Sequence, residues 1–166
     1  TMACVSEAIG LALLNSSGAP APYESRDQYG EASGVAVMHL IEKNIRARDI
    51  VTLKSLQNAA RVVACTGGST NAALHLPAMA NEAGIDFDLF DVADIMRDTP
   101  YFVDLRPGGK YVAKDLYEVS GVPVVMKELA KTGLLHLDCM TASGRTLGEE
   151  LDDIRGEADG RVIHTV

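Results

Sequence analysis

Apolar residues recur at helical spacing along most of this chain, and the pattern predicts a mainly helical structure. In residues 1–14 the apolar positions fall three or four residues apart, which is typical of one buried helix face. A longer helical pattern runs from about residue 24 to residue 46. The stretch 15–22 between them is rich in Asn, Ser, Gly and Pro and is therefore interpreted as a loop.

The centre of the chain predicts two helices that meet at a glycine-rich junction. Thr52 can cap the first helix, whose apolar stripe ends at Gly67, a residue type that favours the left-handed C-cap conformation. Ser69 or Thr70 can cap the second helix, which ends at Gly84. We therefore expect two helix ends to converge within residues 67–70.

Shorter elements fill the rest of the pattern. Asp88 and Asp91 are spaced as a capping pair for a helix that runs through Met96. The segment Tyr101–Leu105 is the one convincing strand, and residues 111–113 could add a second. Three further short helices are predicted at residues 113–119, 121–131 and 146–151. Because a lone strand cannot satisfy its own backbone groups, the strands must pair with each other or with sequence outside this chain.

Composition and charge exclude several classes of function. The 166 residues correspond to one domain or part of one, and the net charge of −8 comes without any cluster of Lys and Arg. A nucleic-acid partner is therefore not expected. The sequence has no apolar run long enough for a membrane span and no secretory leader, so we expect a cytoplasmic protein.

The three cysteines give no signature of a metal site. Cys4, Cys65 and Cys139 are far apart, and none belongs to a CxxC pair or a Cys/His ligand pattern. We interpret them as reduced, buried thiols.

The junction is the leading candidate for chemistry. A helix N-terminus offers unpaired N–H groups and partial positive charge, which favour a carboxylate or a phosphate. The glycines Gly67 and Gly68 would allow a ligand to approach the backbone closely. The alternative is that these residues only end one helix and, with Ser69 or Thr70, start the next. Sequence spacing leaves both interpretations open.

Other candidates have simpler structural explanations. His75 lies on the second junction helix without an identifiable catalytic partner and is interpreted as a packing histidine. The aspartates of residues 86–98 lack the order of a calcium loop and are interpreted as helix caps and surface charges. The segment Arg106–Lys110 could hold an anion, although a tight turn explains it better, and Asp138–Cys139 is at most half of a metal site.

Three blocks carry a resemblance to known proteins: "GGSTNAALHLPAMANEAG", "DLRPGGKYVAKDLYEVSGVPVVMKELAKTGLLH" and "DCMTASGRTLGEEL". They resemble consecutive segments of the dihydroxy-acid dehydratase and phosphogluconate dehydratase family. The resemblance extends from Thr1, in "TMACVSEAIGLAL", to about Leu151. The block "PYESRDQYGEASGVAVMHLIEKNIRARDIVT" is most similar to the dihydroxy-acid dehydratases.

The resemblance implies a hydro-lyase of branched-chain amino-acid biosynthesis that converts a 2,3-dihydroxy acid to a 2-keto acid. It implies an iron–sulfur cluster as Lewis acid, a magnesium ion, a small-molecule dihydroxy acid as partner and a homo-oligomer. It also implies an α/β fold. Residues 1–151 would be a predominantly helical part of the N-terminal domain, with one or two short strands, and residues 152–166 a linker towards an absent C-terminal domain.

The same resemblance places the cluster cysteines, a lysine and the acidic metal ligands before Thr1, and the serine base and a further glutamate ligand after Val166. We therefore expect no catalytic residue, no metal ligand and no activity in this chain alone. By the same resemblance, a substrate-binding site is expected at Gly67, Gly68, Ser69 and Thr70. Two alternatives stay open: a sugar-acid dehydratase acting on phosphogluconate or a pentonate, and a helical binding module without chemistry.

Overall fold

The computed structural model describes residues 1–166 and contains nine α-helices. They are α1 (Met2–Ile9), α2 (Ser25–Glu42), α3 (Ala47–Ile50), α4 (Leu53–Cys65), α5 (Asn71–Ala83), α6 (Leu89–Asp98), α7 (Ala113–Glu118), α8 (Gly121–Ala130) and α9 (Leu147–Asp152). No helix has both the length and the apolar character needed to cross a membrane. The predicted helical character is confirmed.

Helix α4 lies at the centre of the core and contacts α1, α5, α6 and α8. Leu56, Ala60 and Val63 of its apolar stripe are fully buried, whereas Leu53 at its first turn is exposed. Burying one such Leu or Val side chain contributes about 1.5–3 kcal/mol. The helix therefore both anchors the core and fixes where its C-terminal end, at the junction, can lie.

The predicted strand Tyr101–Leu105 does not form a regular strand. Val103 makes a single antiparallel bridge with Ile163, and Leu105 makes a single parallel bridge with Tyr111. The Phe102 and Val103 N–H groups instead donate to the Cys65 carbonyl at the end of α4. The chain thus contains no sheet, and the α/β class expected from the resemblance is not confirmed within these residues.

The C-terminal segment packs on this extended stretch. Val162 and Ile163 are fully buried, and the Asp104 N–H donates to the Val162 carbonyl at 3.1 Å. The segment therefore covers the edge that the sequence left without a partner. The division between a domain at residues 1–151 and a linker at 152–166 stays a prediction.

Helix α1 ends five residues earlier than predicted, at Ile9 instead of residue 14. Gly10 adopts the left-handed conformation with φ of 91°, and its carbonyl accepts a hydrogen bond from the Ala142 N–H at 2.7 Å. A Cβ at this position would lie 2.9 Å from the Met140 carbonyl oxygen. Close packing against residues 140–142 therefore stops the helix, although the apolar spacing continues beyond it.

Several predicted helix starts are confirmed by their caps. The Asp88 carboxylate accepts hydrogen bonds from the Phe90 and Asp91 N–H groups, and the Asp91 carboxylate accepts one from the Asp88 N–H. Thr52 and Thr146 accept from the N–H groups of Ser55 and Glu149 in the same way.

Replacement of Asp88 tests the strength of its cap. We expect Asp88→Ala to lower the free energy of unfolding by about 1 kcal/mol, because two N–H groups at the start of α6 lose their acceptor. Asp94→Ala is the control, since it removes an exposed ion pair with Arg97 on the same helix that is worth about 0.5 kcal/mol or less. Equal losses in thermal unfolding of both variants would contradict this assignment.

Candidate functional site

The junction between α4 and α5 forms as predicted, with two helix ends meeting in five residues. Thr66 is the C-cap of α4, and Gly67 follows it in the left-handed conformation with φ of 62°. Thr70 is the N-cap of α5 by position, but its side chain accepts no hydrogen bond from the helix. The predicted side-chain cap by Ser69 or Thr70 is therefore wrong, and no side-chain oxygen accepts a hydrogen bond from the N–H groups at the start of α5.

Gly67 is enclosed by two segments that are distant in sequence. The Gly108 N–H donates to the Gly67 carbonyl at 3.0 Å, and the Tyr101 ring lies so close that a Cβ at Gly67 would be 2.8 Å from its Cε2 atom. The turn at Arg106–Lys110 therefore packs directly on the junction. The sequence named both motifs, but it contained no signal that they would be neighbours.

Gly68 and Ser69 have no free backbone donor. The Gly68 N–H donates to the Val63 carbonyl at 2.9 Å, and the Ser69 N–H donates to Thr1 Oγ1 at 2.9 Å. A Cβ on Gly68 would lie 2.7 Å from Val63 Cγ1. Packing within the chain therefore accounts for the presence of glycine at both position 67 and position 68.

Unpaired backbone donors remain at the exposed start of α5. The N–H groups of Thr70 and Asn71 have no acceptor within the chain, and both residues are exposed. They lie at the end of the helix that carries the partial positive charge. Of the predicted site, residues 67–70, Thr70 alone offers a free N–H to a carboxylate, and Asn71 beyond the site adds a second.

The charged side chains of the neighbouring turn are already engaged. Lys110 Nζ lies 3.8 Å from Asp104 Oδ2 and 4.8 Å from the centre of the Tyr111 ring. Arg106 Nε donates to the Lys110 carbonyl at 3.2 Å. The pKa of Tyr101 is raised, mainly by partial burial and to a smaller extent by the nearby Asp104 carboxylate. These contacts describe a tight, internally bonded turn.

His75 does not behave as the predicted packing histidine. It is exposed, forms no hydrogen bond and lines an open groove of about 560 Å³ between α3, α5 and Met2. Arg48 and Glu82 form an ion pair at 2.9 Å at the edge of this groove. His75 makes no hydrogen bond or ion pair with a carboxylate or a nucleophile, so the structure gives it no catalytic partner.

The cysteines do not assemble a metal site. No group of three or more His, Cys, Asp or Glu side chains comes together in a way that could hold a metal ion. Burial raises the pKa of the Cys65 thiol. The pKa of Cys139 is raised to about 11, mainly by burial and to a smaller extent by the negative charge of Asp138. An iron–sulfur cluster needs several cysteines around one site, and the three cysteines of this chain do not assemble such a group.

A buried carboxylate that the sequence analysis did not identify fixes the loop after α1. Glu7 is fully buried and accepts hydrogen bonds from the Asn15 N–H, the Ser17 N–H and Ser17 Oγ, at 2.7, 3.1 and 2.6 Å. The only signal in the sequence was an acidic residue among apolar positions of α1, followed by a Ser-rich loop. These hydrogen bonds hold the backbone of the loop after α1 in place, and all of the bonded groups belong to this chain.

Comparison with known proteins identifies the family. The protein-family model described as "Dihydroxy-acid/6-phosphogluconate dehydratase N-terminal" matches residues 1–150. The chain belongs to this family. The dihydroxy-acid dehydratase of Dinoroseobacter shibae is 78% identical over 166 residues, which are 100% of this chain and 29% of that protein.

Other relatives agree with this assignment. The dihydroxy-acid dehydratase of Parvibaculum lavamentivorans is 63% identical over 164 residues, covering 99% of this chain and 28% of that protein. The dihydroxy-acid dehydratase of Pelagibacter ubique is 61% identical over 163 residues, covering 98% of this chain and 28% of that protein. The chain thus spans less than a third of the length of these family members.

Proposed function

We propose that this chain is part of a dihydroxy-acid dehydratase, a hydro-lyase that converts a 2,3-dihydroxy acid to a 2-keto acid in branched-chain amino-acid biosynthesis. The observation that carries the proposal is the 78% identity along the whole chain to a protein with that name. The resemblance of residues 22–52, which favoured dihydroxy-acid over sugar-acid dehydratases, points in the same direction. We refer below to the complete protein as the parent.

The chain supplies part of the scaffold and none of the reacting groups. In the parent, an iron–sulfur cluster and a magnesium ion would supply Lewis-acid chemistry. Their ligands would lie outside residues 1–166, because no group of three or more His, Cys, Asp or Glu side chains of this chain comes together in a way that could hold a metal ion. The parent would be a cytoplasmic homo-oligomer that acts on a small molecule and binds neither nucleic acid nor membrane.

Residues Gly67–Thr70 would form one wall of the substrate site. Gly67 and Gly68 fix the course of the backbone through their contacts with Gly108 and Val63. Ser69 and Thr70 would contact the substrate, and the Thr70 and Asn71 N–H groups would donate to its carboxylate. The support is their exposed position at the start of a 13-residue helix, with no acceptor from the chain itself.

The test compares the parent with residues 1–166 under identical conditions. We expect the parent to form 2-keto acid from a branched 2,3-dihydroxy acid, and residues 1–166 to form none above the blank. Phosphogluconate and a pentonate are the alternative substrates, and faster turnover of either would favour the sugar-acid dehydratase. Keto-acid formation by residues 1–166 alone would contradict the proposal that the reacting groups lie elsewhere.

A further inference from the structure

Helix α2 is the longest helix of the chain, and none of its 18 residues is buried. One side, which includes Tyr29, Ala36 and Leu40, is partly covered by the rest of the chain. The other side carries apolar residues in solvent, with Val37, Met38 and Ile41 exposed by 53%, 58% and 65%. This second side of the helix has an unusual amount of exposed apolar surface and no buried contact with the rest of the chain.

The exposed side has the spacing of a helix-packing seam. Gly30, Gly34, Val37 and Ile41 follow one another at intervals of four, three and four residues. Because each residue turns the helix by about 100°, these four positions fall within about 60° of one another. We call them the α2 seam. Alternating steps of three and four are typical of a helix that packs along another helix.

The two glycines of the seam have no explanation inside the chain. A Cβ on Gly30 or Gly34 would meet nothing within 4 Å, and neither residue has a positive φ. Glycine is the least favourable residue in a helix interior after proline. The close approach of another backbone explains why small residues stand at this spacing.

The charges beside the seam indicate the partner. Glu24, Asp27, Glu31 and Glu42 lie on one side of it, within about 60° of one another around the helix axis. All four are exposed, and none forms an ion pair within the chain. A second copy of α2 would bring this acidic edge against itself, which is repulsive. A helix with Lys or Arg beside its apolar face is complementary.

We propose that the α2 seam and its acidic edge are the docking surface for an amphipathic helix with basic flanks, located in the part of the parent outside residues 1–166. Relatives are more than three times as long as this chain, so their sequence has ample length to supply it. The contact buries Val37 and Ile41 and pairs the acidic edge with lysines.

Zero-length carbodiimide cross-linking of the parent tests this directly. An equal mixture of unlabelled and 15N-labelled parent distinguishes links within one chain from links between copies. We expect Glu24, Asp27, Glu31 or Glu42 to join lysines outside residues 1–166 of the same chain. Links only to lysines within residues 1–166, links between differently labelled copies, or no link at all would each overturn the proposal.

Substitution of the seam gives an independent measurement on the parent. A Cβ at Gly34 would meet nothing within 4 Å in residues 1–166, and leucine is a better helix former than glycine, so a loss of stability would indicate a covered surface at this position. We expect its thermal midpoint to fall by about 1–3 °C at unchanged molecular mass. Gln28→Leu places the same leucine side chain on α2 about 120° away from Gly34 and should leave the midpoint unchanged. A halved mass for Gly34→Leu would identify a second copy as the occupant, and equal behaviour of both variants would show an open surface.

Discussion

Replacing Glu7 by alanine should lower the free energy of unfolding by about 3 kcal/mol or more. The Asn15 N–H, the Ser17 N–H and Ser17 Oγ would lose their acceptor in a place where the carboxylate itself is fully buried. Donors left without partners away from water carry their full desolvation penalty, and the deleted atoms leave a cavity. The effect should appear as a lower midpoint in denaturant unfolding. The exposed, unbonded Glu157, changed to alanine, is the control, and a similar loss there would contradict the assignment.

The same residue should give the protein a defined pH dependence. Burial raises the pKa of Glu7, while hydrogen bonds from Ser17 and Asn15 lower it, with a net upward shift. The folded state therefore holds the proton more tightly than the unfolded chain. This contribution to stability is fully present below about pH 4.3 and is lost as the pH rises through the raised pKa. We expect the free energy of unfolding of wild type to fall relative to that of Glu7→Gln as the pH rises through that interval. If it stays constant or rises relative to that of the variant, the carboxyl is not destabilised by burial.

The sequence predicted those elements whose signals are local. The apolar stripe of α4 and the caps at Thr52, Asp88 and Thr146 depend on residues within one or two turns, so spacing and cap chemistry were sufficient. Gly67 likewise adopts the left-handed conformation that its position after the stripe indicated. Helix existence and most helix starts therefore followed from pattern alone.

Elements that depend on distant contacts were predicted less well. Helix α1 stops at Gly10 because residues 140–142 pack against it, and nothing in the local spacing shows this. Residues 101–105 have a strand pattern, but their partners are the end of α4 and the C-terminal segment, which offer single bridges and no sheet. The apolar residues of α2 predicted a helix correctly without revealing that half of them face away from the chain.

The candidate site shows the same division. The sequence located Gly67–Thr70 but treated its donors as equivalent. The structure separates them, because Gly68 and Ser69 donate to Val63 and Thr1, whereas the Thr70 N–H is unpaired. The two glycines and the helix start can therefore be tested with different variants and different measurements.

Gly68→Val in the parent should reduce stability and leave substrate affinity unchanged in the folded fraction. Its Cβ would lie 2.7 Å from Val63 Cγ1 and 3.1 Å from the Val63 carbonyl oxygen, so the junction must distort. Overpacking of this kind costs about 1–3 kcal/mol. A thermal midpoint and a substrate titration on the same sample separate the two effects. Reduced affinity at normal stability would instead indicate that the ligand approaches Gly68 itself.

Thr70→Pro in the parent should have the opposite signature, with weaker substrate binding and little change in stability. Proline accepts the φ of −58° at this position and removes an N–H that makes no hydrogen bond within the chain. Loss of one hydrogen bond to a carboxylate, worth about 1.5–3 kcal/mol, should weaken binding by about 10–150-fold. Thr70→Ala is the matched control, since it keeps the N–H and removes only the side chain. If Thr70→Pro binds substrate as well as wild type does while remaining folded, the start of α5 is a turn between two core helices and carries no substrate contact.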